Sequence, residues 1–227
     1  MKIKTVDLTR IYKMGSSEIV AVNKVSIEVN ENQIVAIVGP TGSGKTTLLN
    51  LIGLNDYPTS GKIFIDSIDT TLLPASERRK IRLFHIGFIF QSFNLLPTLT
   101  ALENVELPMA LAGKPEEEQK KRASELLETV GLSDRAYHRP KELSTGEMQR
   151  VAIARALANN PKVIIADEPT GELDSKTAKE IISLLFNISK NERKTVIAAT
   201  HDEKIVNFAD VIYTIYDGKI KLKMKNL

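Results

Sequence analysis

The chain has no cysteine and no tryptophan, and aromatic residues make up only 5% of it. Without cysteine there is no disulfide framework, no thiol nucleophile and no thiolate metal site. That usage fits a cytoplasmic compartment. Long apolar runs are lacking too. None approaches the ~20 residues that span a bilayer, so any membrane role falls to a partner. The amino terminus, Met1-Lys2-Ile3-Lys4-Thr5-Val6-Asp7, alternates charged and apolar residues, unlike a signal peptide. Net charge is only +3 over 227 residues, which does not call for a nucleic-acid partner. There is no internal repeat and no low-complexity segment. With 42% hydrophobic residues, the composition is that of an ordinary globular protein of one or two domains.

What is present is organised around Gly39-Pro40-Thr41-Gly42-Ser43-Gly44-Lys45-Thr46-Thr47. An apolar run, Ile34–Val38, precedes this loop, and a helix-like segment, Leu48–Ile52, follows it. The order strand, glycine-rich loop, helix matches G-x-x-x-x-G-K-[ST]. Its chemistry is phosphate binding. Glycines let successive backbone N–H groups turn toward an anion, and the helix adds its positive end. Lys45 is placed to reach the β- and γ-phosphates and the Thr46 hydroxyl to ligate Mg²⁺.

Two alternating stretches, residues 2–12 and 18–29, come before the loop and predict an antiparallel layer flanking the main sheet. Tyr12 ends the first. It reads either as an aromatic covering a sheet edge or as a stacking platform for a nucleotide base. After the first helix, Lys62–Asp66 reads as a strand. Pro74–Phe84 reads as a helix whose Arg78, Arg79, Lys80 and Arg82 form a basic run, a solvated face in preference to one turned to a membrane or partner. Ile86–Phe90 is a strand delivering Gln91 to its C-terminal end, where ligands bind in parallel sheets. The loop after it, Ser92–Leu99, is unusually apolar. It either folds back on the core or receives another protein. Residues 100–130 read as two helices, Pro115 opening the second, with Glu116/Lys120, Glu117/Lys121 and Glu118/Arg122 as i,i+4 pairs.

Next comes Leu143-Ser144-Thr145-Gly146-Glu147, opening an apolar helix. Ser144 and Glu147 fit a capping box, and the same helix start is a second place to hold phosphate. Val163–Ala166 is an unbroken apolar strand, typical of a sheet buried on both faces, and it delivers Asp167 and Glu168. The first acid suits Mg²⁺, the second the deprotonation of water. Thr195–Ala199 is another such strand, ending in Thr200-His201-Asp202. The tail Lys219–Lys225 alternates as an edge strand protected by lysines.

This order of motifs resembles the ATP-binding-cassette ATPases, nearly end to end. The matching residues are Tyr12, G-P-T-G-S-G-K-T at 39–46, Gln91, L-S-T-G-E at 143–147, V-I-I-A-D-E at 163–168, the loop Gly171–Asp174, and His201. Y-K-M-G, Q-S-F-N-L-L-P and T-A-L-E-N-V-E-L-P look like the branch serving lipoprotein-release, macrolide-export and cell-division permeases. The resemblance implies an α/β fold: a P-loop NTPase three-layer core with an antiparallel β flank and an inserted α-helical subdomain near residues 92–160, all within one ATPase domain, 1–227. It also implies ATP and Mg²⁺ as ligands. Gly39, Thr41, Gly42, Ser43, Gly44, Lys45, Thr46 and Thr47 then cradle phosphate. Tyr12 stacks on adenine, and Thr46, Gln91 and Asp167 hold the metal. Glu168 is the general base, with Lys45 and His201 stabilising charge. Ser144, Gly146 and Glu147 contact the ATP of a second copy in a head-to-tail dimer.

A permease is expected to dock near Gln91–Leu99, keeping the protein on the inner face of the membrane. The signature departs from the family's usual L-S-G-G-Q. Thr145 adds a branched side chain and Glu147 a negative charge near the nucleotide. The alternative is a non-transport cassette: one for mechanical signalling across a membrane looks the same from this side, whereas a chromosome- or ribosome-associated one would bring coiled-coil insertions or tandem cassettes. Neither is seen here, and no basic stripe marks a nucleic-acid face. A module that binds nucleotide without turnover is opposed by the intact Lys45, Asp167, Glu168 and His201.

Overall fold

The computed structural model describes residues 1–15 and 17–225. In chain order the elements are β1 (Ile3–Met14), β2 (Ser17–Val25), β3 (Glu28–Val29), β4 (Ile34–Val38), α1 (Lys45–Ile52), β5 (Ser60–Ile65), β6 (Ile68–Asp69), α2 (Ala75–His85) and β7 (Ile86–Ile89). There follow α3 (Ala101–Leu111), α4 (Glu116–Thr129), α5 (Thr145–Leu157), β8 (Val163–Asp167), α6 (Ser175–Asn191), β9 (Thr195–Ala199), α7 (Glu203–Phe208), β10 (Val211–Tyr216) and β11 (Lys219–Lys225).

The strands form two sheets. The central one has six strands in the order β11-β10-β4-β9-β8-β7, parallel except for β11. The second runs β2-β1-β5-β6, antiparallel, with β3 also paired to β1. Central strands are apolar on both faces because both faces are covered. Along β4, Val35 and Ile37 face a core shared with α1 and the antiparallel sheet, while Ile34 and Ala36 face one shared with α5 and α6. β8 and β9 divide their residues in the same way. The result is the three-layer α/β core with an antiparallel flank that the sequence implies. α3, α4 and α5 pack on one another as the helical insertion.

Several local expectations change. Residues 18–29 are not one strand. Lys24 takes φ 49°, and the Thr5 hydroxyl donates to Val25 O at 3.0 Å and accepts from Ile27 N at 3.0 Å. That plug splits the stretch into β2 and β3. β11 is the outer strand of its sheet, but a bulge sets Ile220 opposite Ile215 and Leu222 opposite Thr214. The lysines therefore do not keep to one face, and Lys223 lies 5.4 Å from the centre of the Tyr213 ring. Of the three helical pairs on α4, Glu116–Lys120 forms at 2.7 Å, whereas Glu118 is held by Lys114 and Arg122 by Glu125.

The solvated basic face of α2 is wrong for Arg78, which is fully buried. Its guanidinium donates to Asp56 O at 2.5 Å and Thr70 O at 3.3 Å, and stacks 4.1 Å from the Tyr57 ring centre. Burial lowers its pKa. Arg82 similarly donates to Leu54 O at 2.7 Å. These two residues tie α2 to the loop leaving α1. Truncating a buried charge that satisfies two carbonyls leaves both orphaned. Arg78→Ala should therefore lower unfolding free energy by about 3 kcal/mol in urea titration. An unchanged midpoint would remove Arg78 from this structural role.

Candidate functional site

The parallel ladder decides which residues meet. Ile37 pairs with Ala199, and Ala199 pairs with Asp167, so β4, β9 and β8 end side by side. The segments leaving these three ends are the glycine loop, His201 and Glu168. Together with Gln91 after β7 they line one cleft of 360 Å³. Thr41, Gly42, Gly44, Lys45, Thr46, Thr47, Gln91, Glu168 and His201 all face it.

The glycine loop turns into α1 through Gly44 at φ 103°, where a Cβ would lie 2.2 Å from Ala21 O. No other residue fits both the backbone angle and that approach. No side chain caps α1, and its first turn carries no acid, so its N–H groups present an uncompensated positive end. The Lys45 ammonium is nearly buried. It donates to Gly39 O at 2.9 Å and Pro40 O at 3.2 Å, and lies 3.5 Å from Glu168 Oε1. Ser43 is also buried, and its hydroxyl lacks a hydrogen-bond partner.

Glu168 takes φ 45°, its N–H donating to Ala199 O at 2.9 Å. This left-handed turn at the strand end brings the carboxylate between two cationic or protonatable groups. Oε1 faces Lys45, and Oε2 lies 2.9 Å from His201 Nδ1. His201 itself is largely exposed, so the pair sits at the cleft mouth. Asp167 lies deeper. Burial raises its pKa most strongly. A hydrogen bond from Thr46 and the Lys45 charge pull it down, while Glu168 pushes it up. Its Oδ1 is buried without a hydrogen-bond partner.

Not every candidate converges there. Tyr12 does not line the cleft. Its hydroxyl donates to Asp56 Oδ2 at 2.8 Å, and the Arg10 guanidinium lies 4.5 Å from its ring centre. It stands opposite Ile19 across the β1–β2 ladder, and Ile19 does line the cleft. Gly39 sits behind the loop, where a Cβ would meet Ile215 O at 2.2 Å. Ser144, Gly146 and Glu147 lie at the N-terminus of α5, outside the cleft. The capping box forms there as expected. Glu147 N donates to Ser144 Oγ at 3.3 Å, and the Glu147 carboxylate accepts from Ser144 N at 2.8 Å.

Sequence reasoning missed four things. Ile19, Val20 and Ala21 form one wall of the cleft, with Ile19 and Val20 exposed. The signal was the four-residue apolar run Ile19–Val22, which breaks the alternation of β2. Gln149 of α5 is buried and donates to Pro169 O at 2.9 Å, joining the signature helix to the loop after Glu168. Arg155, also on α5, donates to Phe93 O at 2.7 Å and Asn94 O at 2.5 Å, and burial pushes its pKa down to about 10. Phe93 and Asn94 both have positive φ, so this arginine clamps a strained turn just after Gln91. Finally, Gly146 is a packing residue too.

A Cβ on Gly146 would meet Thr177 Cγ2 at 2.6 Å. Gly146→Ala should therefore separate α5 from α6 and cost about 1–3 kcal/mol. Thr177→Ser removes that methyl and keeps the Thr177 Oγ1 bond to Asp174, 2.5 Å in the native chain. Urea denaturation of Gly146→Ala, Thr177→Ser and the pair should show the second change recovering most of the loss. Additive losses would place the strain elsewhere.

Comparison with known proteins agrees with this geometry. A family model described as "ABC transporter" matches residues 22–171. An ABC transporter ATP-binding protein of Methanocaldococcus jannaschii, MJ0796, is 49% identical over 98% of this chain and 97% of its own. The macrolide export ATP-binding/permease protein MacB of Vibrio parahaemolyticus is 44% identical over 96% of this chain, which spans only 33% of that longer protein. A dimeric MJ0796 structure in a post-hydrolysis state bound to ADP and Pi superposes with a TM-score of 0.92 at 47% identity, covering 98% of both chains. A three-layer fold that gathers Lys45, Thr46, Glu168 and His201 in one cleft, with sequence likeness over almost its whole length, makes this chain a member of the ABC transporter ATP-binding family, an ATPase.

Proposed function

We propose that the chain is the motor subunit of a transporter, pairing head-to-tail with a second copy around two ATP molecules and driving a separate membrane permease. The observation that carries this reading is the Glu168 carboxylate, held between Lys45 and His201 beside the uncapped start of α1. Phosphate is attracted to the N–H groups of that helix and to the Lys45 ammonium. When Lys45 turns to the phosphates it leaves Glu168, whose carboxylate is then free to take a proton from an attacking water. Lys45 and His201 stabilise the charge that builds on the transferred phosphoryl group.

Mg²⁺ fits the residues present. Asp167 Oδ1 is a buried anionic oxygen without a hydrogen-bond partner, and Thr46 and Gln91 add neutral oxygens nearby. Among the described residues no three His, Asp or Glu side chains converge. That donor set suits an ion that takes one or two carboxylates and completes its shell with water and substrate phosphates. When bound, the ion neutralises charge on the β- and γ-phosphates.

The dimer reading rests on the position of Ser144–Glu147. These residues are outside the cleft of their own chain, yet at a helix N-terminus suited to an anion. The related dimeric cassettes support a second copy as the source of that anion. The helical region around 92–160 then connects three things: the signature at its end, Gln91 at its start and the permease. Docking of the permease at residues 91–99 is supported by the division of that loop. Phe93 is buried and Leu95 packs on the core, but Leu96 is exposed. No helix among the described residues is long and apolar enough to cross a membrane, so the permease would hold the subunit at the cytoplasmic face.

Two experiments test this. Glu168→Gln should keep ATP affinity, reduce phosphate release by about 10²-fold or more and accumulate an ATP-bound dimer on gel filtration. Normal turnover would sink the general-base role. Leu96→Asp should leave ATP affinity intact and abolish co-purification with the membrane permease. Undiminished co-purification would rule out this docking surface.

A further inference from the structure

The two helix N-termini of the proposed composite site differ in one respect. That of α1 has no side-chain cap, whereas that of α5 already holds an anion, its own Glu147 carboxylate. Glu147 Oε2 accepts from Ser144 N at 2.8 Å and from the Ser144 hydroxyl at 2.9 Å. Glu147 Oε1 accepts from Arg135 Nε at 3.1 Å. One carboxylate is thus shared between the Ser144 donors and the Arg135 guanidinium. In the proposed dimer, a phosphate oxygen of the second copy's ATP needs the same Ser144 donors. Two anions cannot share them at close range without repulsion.

Arg135 stands on a well-anchored base. It ends the short turn Ser133–Arg135, just after Leu132, which is buried. The residues that follow are tied to the start of α3, where Leu102 N donates to Ala136 O and Ala101 N to His138 O, each at 2.8 Å. The hydrogen bonds from Ser144, then those from Arg135, hold the Glu147 carboxyl below its usual range, so it is a full anion at neutral pH.

We propose that Arg135 is a positioning residue for ATP-dependent dimerisation: it draws the Glu147 carboxylate off the start of α5, so that the partner's phosphate can take the Ser144 donors. This rests on the head-to-tail dimer reading. It also answers how a signature carrying glutamate in place of the family's usual glutamine accepts an anion. The charge is retained for capping in the monomer and neutralised by Arg135 when phosphate arrives.

The test is a double-mutant cycle in the Glu168→Gln background, with dimerisation by Mg-ATP followed by analytical ultracentrifugation. A two-fold dimer contains the contact twice, so a loss of about threefold at each site becomes about tenfold in the dimer dissociation constant. Arg135→Ala should weaken the dimer by about tenfold, with more effect at low salt, and leave ATP affinity of the monomer and the urea midpoint unchanged. Arg135→Ala with Glu147→Gln should dimerise as tightly as Glu147→Gln alone. Two outcomes overturn the proposal while leaving the dimer reading intact: a dimer unaffected by Arg135→Ala, or a loss that Glu147→Gln does not rescue. A Glu168→Gln parent that stays monomeric with Mg-ATP overturns both.

Discussion

The parallel pairing of β4 with β9 and of β9 with β8 is the constraint on which the site depends. Ala199 lies between Ile37 and Asp167 in that ladder. Parallel strands all end at the same edge, so what each one delivers is delivered to one place. The glycine loop is far in sequence from Glu168 and His201, yet all three meet at one cleft. A slip of one residue in either pairing would turn Val35 and Ile37, or Val163 and Ile165, to the opposite face and disrupt both cores at once. The register that assembles the cleft and the register that packs the cores are therefore the same.

The antiparallel sheet supports the site from the other side. Ala21 O approaches Gly44 so closely that the loop and β2 constrain one another. Gly218 N donates to Ser43 O at 2.9 Å, and Asn23 N donates to Gly218 O at 2.8 Å, so the β10–β11 turn bridges the two. Within the loop, among the described residues, only Ser43 N is seen to donate, to Pro40 O at 3.2 Å, and N–H groups kept for an anion cannot also hold the loop in place. Its neighbours supply that rigidity.

The helix α5 is the mechanical link of the molecule. Its start carries Ser144 and Glu147, its middle reaches Pro169 through Gln149, and its last turn clamps the turn after Gln91 through Arg155. Buried polar side chains that bond to loop carbonyls transmit position more faithfully than apolar contacts, because leaving them unpaired is costly. One helix thereby joins the Ser144–Glu147 turn, the loop after Glu168 and the turn after Gln91.

The sequence by itself determined most of the elements and the family's motifs. Apolar runs covered on both faces marked β4, β8 and β9. The glycine loop was legible because such residues at such spacing have few other uses, the acids after Ala166 pointed to chemistry only in its company, and the capping box at Ser144 was legible because it is local. The helical face of Arg78 was misread because a charged residue three or four positions from other charges looks solvated until its tertiary partners are known. Asp56 and Thr70 lie outside α2 and act through backbone carbonyls, which no side-chain pattern records. The same limit hid Gln149, Arg155 and Arg135. Tertiary structure alone decided which strand ends stand side by side, that Gly146 is small for Thr177, and that Glu147 has a cation to receive it. Those facts arise from contacts between segments far apart in the chain, and local spacing contains no information about them.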